Sequence, residues 1–321
     1  MTFIDLEGLM PNIILEDLRL NMKNTYITQL TVLTVKSLLP LEKEVGNEID
    51  YMRFKEELKL WMEYCIEGEA SPLSTFKGFD GNSYLNYYDE TYYTRLIPII
   101  VSNTDLGIIE KQLIKNILFF SGSINNLLEW LMIGVLIYLS TQKNQDLIDG
   151  LKEYIINFSQ RDLLERHGQD FRLDIDRLPN SIRVSFERER INILNVLNGV
   201  KSDMYKNLQD CLGILNKGMP TTSIGRIIYG ATQETDIETL DVFYVNLNKY
   251  LSKLRKGRIP LEDLKINDYV LPDIFGFEEG DMFYHSLLNH SKVIKKEVRA
   301  DGLTSLISTK SGNYLFKRNL R

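Results

Sequence analysis

The chain has 321 residues, enough for one large domain or for one domain with a small appendage. Hydrophobic residues make up 44% and charged residues 26%, a composition that excludes a disordered chain. Thirty-eight Lys and Arg against 44 Asp and Glu give a net charge of −6, the wrong sign for a protein whose whole surface grips nucleic acid. Only a local basic patch could serve that purpose.

The opening segment MTFIDLEGLM carries acids where a secretory signal needs a basic start, and no uninterrupted apolar run follows it. Cys65 and Cys211 stand alone in apolar helical patterns, so neither a disulfide framework nor a zinc knuckle is readable, and a cytoplasmic, reducing compartment is expected. The first secure helix runs from Thr28 to Leu39, with Leu30, Leu33 and Leu38 at helical spacing and Pro40 as its stop. In the second, Phe54, Leu58, Trp61, Met62 and Cys65 share one face, and Gly68 and Ser71-Pro72 end it. Residues 71 to 88, rich in Gly, Ser, Asn and Tyr, read as a long irregular loop.

Helical patterns return at Tyr92 to Val101, Leu106 to Phe119, Asn125 to Leu139 and Leu147 to Phe158. The greasiest stretch, Leu127 to Leu139, contains Glu129 and falls short of the roughly 20 residues that a membrane span needs, so a buried core helix is expected. Residues 159 to 180 turn polar and read as an insertion or lid. Helices are then expected over Ile191 to Leu197, Met204 to Leu215, the segment through Ile224, Ile227 and Ile228, and Val242 to Leu254.

From Tyr284 the texture becomes β-prone, with runs at Lys292 to Arg299, Leu303 to Thr309 and Tyr314 to Lys317 separated by the turn signals Asp301-Gly302 and Ser311-Gly312-Asn313. Val293, Ile294, Leu306, Leu315 and Phe316 are expected to supply its apolar contacts. The fold class is therefore mainly α, with an all-α domain over 1–258, a linker over 259–283 and a small β-rich appendage over 284–321. No internal repeat is visible.

Three groups of side chains invite a chemical reading. Asp162, Glu165, His167, Asp170, Asp174 and Asp176 lack EF-hand spacing, and pairing with Arg161, Arg166, Arg172 and Arg177 accounts for them without a metal. Asp236, Glu238 and Asp241 precede a helix, where the dipole favours carboxylates. His285 and His290 have no Cys or Ser-Asp arrangement nearby and read as surface or structural histidines. The tail's cations, among them Lys292, Lys295, Arg299, Lys310 and Lys317, suit the outer face of an exposed meander and leave phosphate binding open. No Gly-rich phosphate loop of Walker or Rossmann spacing occurs.

Three segments carry a family resemblance. Asn24-Thr25-Tyr26-Ile27-Thr28-Gln29-Leu30 resembles the T-D-D-T-Q-L segment that opens a helix in the ADP-ribosylglycohydrolase (dinitrogenase-reductase-activating glycohydrolase-like) family. Glu90-Thr91-Tyr92-Tyr93-Thr94-Arg95 through Pro98-Ile99 resembles that family's G-N-G-A-x-M-R-x-x-P-I, keeping the Arg and the Pro. Gly218-Met219-Pro220-Thr221-Thr222-Ser223-Ile224-Gly225, ending in Gly230, resembles its late G-G-D-T-D-T-I-G-x-I-x-G. Order and approximate spacing agree over roughly residues 20 to 235.

The resemblance implies an all-α glycohydrolase-like shell and a cleft lined by Thr25, Tyr26, Ile27, Thr28, Glu90, Arg95, Pro220, Thr222 and Ser223. In the family, paired carboxylates hold two magnesium ions there. Here Tyr26 and Ile27 stand at the first aspartate pair and Pro220 and Thr222 at the late pair, so no metal and no other cofactor is expected. The helices opening near Thr28 and near Ile224 are expected to pack side by side. The function implied is a degenerate glycohydrolase-like protein that binds a protein partner or an ADP-ribose-like ligand, with no membrane role. Two alternatives remain: a hydrolase that uses other acids (Asp89 and Glu90, or Asp236 to Asp241), and a bacterial or phage regulatory protein acting through its basic tail, the one route open to nucleic acid.

Overall fold

The computed structural model describes residues 3–66, 80–142, 146–174, 178, 181–233, 239–300 and 302–319. With 57% helix against 13% strand, the class is mainly α, closed by a small antiparallel sheet. Gly68, Ser71, Pro72, Asp176, Arg177, Asp236, Glu238 and Asp301 lie outside the described residues.

The first helix, α1 (Leu6–Asn21), escapes the sequence reading because Gly8 and Pro11 interrupt its pattern. Pro11 has no N–H for the Glu7 carbonyl one turn earlier, and Asn248 Nδ2 donates to that carbonyl at 2.8 Å instead. α2 (Tyr26–Lys36) starts on the Thr25 cap and ends three residues before the predicted Leu39. The chain then forms a short hairpin that the pattern does not announce, β1 (Leu38–Pro40) against β2 (Asn47–Ile49). α3 (Tyr51–Trp61) begins on an Asp50 cap, and part of the expected loop is a helix, α4 (Gly81–Asn86), capped by Asp80.

The central helices lie where the apolar spacing puts them: α5 (Tyr93–Ser102), α6 (Leu106–Phe120), α7 (Ile124–Thr141) and α8 (Leu147–Ser159). α7 runs 18 residues, longer than its apolar stretch suggested and long and apolar enough to cross a membrane, yet 78% of it is buried within the body. It packs against α5, α6, α8, α10 and α11. The polar stretch holds α9 (Leu163–His167); α10 (Ser181–Leu197), α11 (Lys206–Leu215), α12 (Ser223–Ala231) and α13 (Val242–Arg255) complete the body. One contiguous apolar core runs through these helices, with Leu30, Phe54, Trp61, Leu96, Leu113 and Trp130 essentially inaccessible.

The helices at Thr28 and Ile224 are not side by side. α1 packs against both α2 and α12, which themselves make at most marginal contact. Two glycines allow this approach on the α12 side. A Cβ at Gly230 would fall 2.1 Å from Asn12 Oδ1 on α1, and one at Gly225 would fall 1.9 Å from Asp210 Oδ2 on α11.

The sheet starts two residues earlier than expected and has four strands in meander order: β3 (Met282–His285), β4 (Asn289–Arg299), β5 (Gly302–Thr309) and β6 (Gly312–Asn319). A bulge between Val293 and Lys295 resets which β4 residues face inward. The sheet's small core is Phe283, Leu288, Val293, Ile307 and Phe316, with Ile274 and Phe275 from the preceding segment. Ile294 and Leu315, expected inside, are 43% and 46% exposed, and Leu306 is half-buried. Tyr64 beyond α3 stacks edge-on against Tyr314 and Phe316, with ring centroids 5.0 and 5.2 Å away. Lys317 N donates to the Glu63 carbonyl at 2.7 Å, and Arg318 pairs with Glu63 and Asp273.

Candidate functional site

The helix starts at Thr25 and Thr222 are built alike. In each, the capping threonine accepts from the first turn of its own helix and passes its hydroxyl hydrogen to a carboxylate on the helix before. Thr25 Oγ1 accepts from Ile27 N and donates to Asp17 Oδ1 at 2.7 Å, while Thr25 N donates to Asp17 Oδ2 at 2.8 Å. Thr28 adds its N–H and hydroxyl to Asp17 Oδ2, and Asn21 Nδ2 donates to Oδ1. Asp17 thus accepts five donors, which fills the roughly four lone-pair positions of a carboxylate. On α12, Thr222 Oγ1 accepts from Gly225 N and donates to Asp210 Oδ2 at 2.8 Å. Thr222 N and the N–H and hydroxyl of Thr221 also donate to Asp210.

A third carboxylate holds a third helix start. Glu129, fully buried on α7, accepts from the N–H groups of Asn207 and Leu208 at 3.0 and 3.1 Å, in the first turn of α11. It also accepts from the Tyr88 hydroxyl, which in turn accepts from Asn207 Nδ2 at 2.8 Å. Burial pushes the Glu129 carboxyl up to about 7, against the downward pull of those donors. Burial, and then the Glu129 carboxylate, pushes the Tyr88 hydroxyl far above its usual range.

These three helix starts open on one cavity of about 860 Å³, within the size range of small-molecule sites. Tyr26 and Ile27 of α2, Lys206 and Asn207 of α11, and Thr222 and Ser223 of α12 line it. Glu90, Tyr88 and Tyr93 form the wall between them, and Leu20 and Met204 add exposed apolar groups. Arg226 also lines it, but is held from several sides: its Nε donates to the buried Glu16 at 2.6 Å and its other nitrogens to Thr221 O and Ser223 Oγ. Arg226 is therefore a fixed cation, whereas Lys206 is exposed and has no carboxylate within ion-pair distance among the described residues.

Of the positions singled out in the sequence, Tyr26, Ile27, Glu90, Thr222 and Ser223 meet in this cavity. Thr25 and Thr28 are buried behind its wall as donors to Asp17, and Pro220 precedes the lining residues. Arg95 is fully buried, paired with the Asp89 carboxylate and lying over the rings of Phe120 and Tyr92 at 4.6 and 5.1 Å from their centroids. Neither Arg95 nor Asp89 is available to a ligand. Asp17, Asp210, Glu129, Tyr88, Lys206, Asn207 and Arg226 escaped the sequence reading. Glu129 alone left a signal, a carboxylate inside an otherwise apolar helical run.

The other groups have structural partners. Asp162 caps α9 and pairs with Arg183, whose hydrogen bond is the main cause holding its carboxyl below the usual range. His167 Nδ1 meets Asp170 at 3.1 Å, and Asp241 caps α13. His285 is buried with Nδ1 accepting from Leu287 N, and burial lowers it to about 4; His290 is exposed beside Tyr284. Among the described residues, no group of three or more His, Cys, Asp or Glu side chains is placed to hold a metal ion. No protein-family model and no curated protein sequence matches this chain.

Proposed function

We propose that the cavity at the starts of α2, α11 and α12 is a binding cleft of a degenerate ADP-ribosylglycohydrolase-like protein, located in the cytoplasm, which binds an ADP-ribose-like ligand without magnesium. The observation that carries this reading is the state of the carboxylates around the cleft. Asp17 and Asp210 spend their oxygens on helix-start donors, and Glu129 accepts three donors of its own. Tyr26, Ile27 and Thr222, at the family's acidic positions, offer no anionic oxygen. The donor set therefore does not fit a hard dication, which needs carboxylates to replace its water. What the cleft does offer is suited to a phosphorylated nucleoside: the exposed Lys206 beside the fixed Arg226, the hydroxyl of Ser223, and the rings of Tyr26 and Tyr88.

Thermal unfolding of the full chain tests this. ADP-ribose at about 100 times its Kd stabilises a folded binder by about 2.7 kcal/mol, a rise of several degrees in Tm that should be equal in magnesium and in EDTA. A Tm that rises with magnesium alone, or no response to ADP-ribose, overturns the reading.

One observation favours the hydrolase alternative. Glu90 is an exposed carboxylate on the cleft wall, free to act as a base, whereas Glu129 is fully buried behind Tyr88 and does not line the cavity. Hydrolysis of ADP-ribosylated protein that survives EDTA and is lost in Glu90→Gln would establish it; the Asp89 route is closed by Arg95.

A further inference from the structure

The outer face of the C-terminal sheet carries a second site, independent of the cleft. The register of β4, β5 and β6 sets its side chains in cross-strand rows: Lys295 beside Leu306 beside Leu315, then Glu297 beside Thr304 beside Lys317, then Arg299 beside Gly302 beside Asn319. A groove of about 440 Å³ runs over the first two rows and reaches Arg299.

Its charges are unequal. Lys295 and Arg299 share the single carboxylate of Glu297, at 2.6 Å each. Lys317 is exposed and has no carboxylate within ion-pair distance among the described residues, and the same holds for Lys292 next along β4. The cations on the sheet's other face are paired: Arg318 with Glu63 beyond α3 and with Asp273, and Lys296 with Glu278, the last two acids lying in the segment that leads into β3. Residues 284–321 hold eight Lys and Arg against two acids in a chain of net charge −6, so positive charge is in excess on β4 to β6, while Glu278, Glu279 and Asp281 stand at the entrance to β3. Between the cations lie Leu306, half-buried, and Leu315, 46% exposed, an aliphatic strip left open among the described residues.

We propose that this face binds an acidic, aliphatic peptide segment of another protein, its carboxylates meeting Lys317 and the Lys295/Arg299 pair and its apolar side chains resting on Leu306 and Leu315. Lys295 and Lys317 lie two strands apart, on the order of 10 Å, a span that carboxylates spaced along one peptide can cover. Single-stranded nucleic acid fits less well. The centre of the face presents leucines where base stacking needs aromatic rings, and Glu297 stands in the path of a phosphate backbone. At about 440 Å³ the groove takes a few side chains, and the excess of positive charge steers an acidic partner towards it.

Fluorescence anisotropy on the full chain tests the proposal with four labelled probes: a short peptide alternating Glu and Leu, an all-Glu peptide, a peptide alternating Lys and Leu, and oligothymidylate. The Glu/Leu peptide should bind at least about tenfold more tightly than each of the others, and added salt should weaken it. Lys317→Glu and Leu315→Ser, both at exposed positions, should each weaken it about tenfold; Lys201→Glu, on the body, makes the same charge change and should leave it unaltered. Thr304→Glu on the middle strand gives the same reading if either sheet variant fails to fold. Tighter binding of oligothymidylate, an equal effect of Lys201→Glu, sheet variants that bind as the native chain does, or no binding of the Glu/Leu peptide overturns the proposal. So does self-association in sedimentation that Lys317→Glu abolishes, because the occupant would then be a second copy of this chain.

Discussion

The starts of α2 and α12 use the same parts, a capping threonine, a neighbouring threonine and an aspartate on the preceding helix, but they stand in different surroundings. Asp17 is 1% exposed, and Thr25 and Thr28 are buried with it. Asp210 is half-buried, and Thr221 beside it is exposed. The same set of hydrogen bonds is therefore worth different amounts, because water can replace a lost acceptor at Asp210 and cannot at Asp17.

The widest separation should come from Asp17→Ala. It leaves buried N–H and hydroxyl donors of Thr25 and Thr28 unmet, and denaturant titration should show a loss of about 3–5 kcal/mol. Restoring an acceptor with Asp17→Asn should recover part of that loss, whereas equal stability of Asp17→Ala and the native chain would refute the burial argument.

The third helix start adds a dependence on pH. Glu129 is raised in the folded state, to about 7, so the folded protein binds more protons than the unfolded one between the carboxyl's ordinary range and about pH 7. Stability contributed by this group is full below the unfolded value and falls as pH rises through the folded one, by at most about 3 kcal/mol. Glu129→Gln cannot ionise, so its stability relative to the native chain should climb from pH 5 to pH 8. A flat difference across that window would mean that Glu129 titrates at an ordinary value.

On the α12 side, Gly225→Ala places a methyl group where Asp210 Oδ2 now lies, at 1.9 Å, so either the carboxylate or the helix must move. A loss of about 1–3 kcal/mol is expected from this overpacking. In Gly225→Ala/Asp210→Ala the obstacle is gone, so the two losses should not add. Smallest of all should be Asp210→Ala alone, about 1–2 kcal/mol, the ordinary cost of lost hydrogen bonds whose donors can turn to water.

How far the sequence predicts this molecule differs by element. α5 to α8 and α13 lie within a residue or two of their apolar spacing, because each carries apolar residues at helical spacing and most have an Asp cap. α1 is obscured by Pro11, whose cost is met by Asn248 from another helix, a compensation no local pattern contains. The sheet's inner face is misread because adjacent apolar residues alternate between its two faces: Ile294, Leu306 and Leu315 sit beside the inward Val293, Ile307 and Phe316 and therefore point outward. At the site, Thr25 and Thr222 are legible as caps, since capping is local. Their partners are not: Asp17 and Asp210 lie eight and eleven residues before Thr25 and Thr221, on other helices, and no spacing rule links them.

The clasp between Glu63 and Arg318 joins residues 255 positions apart, so making it closes a loop of that length. The hairpins of the sheet close locally, on a scale of about 1–10 μs. Tyr64 and the Glu63 carbonyl must wait for a loop of that length to close, and long-range contacts of this kind are the slow ones. Before docking, the Tyr64 ring beyond α3 and the Tyr314 and Phe316 rings it packs on stand in water, apolar surface that is open to other chains until that loop has closed.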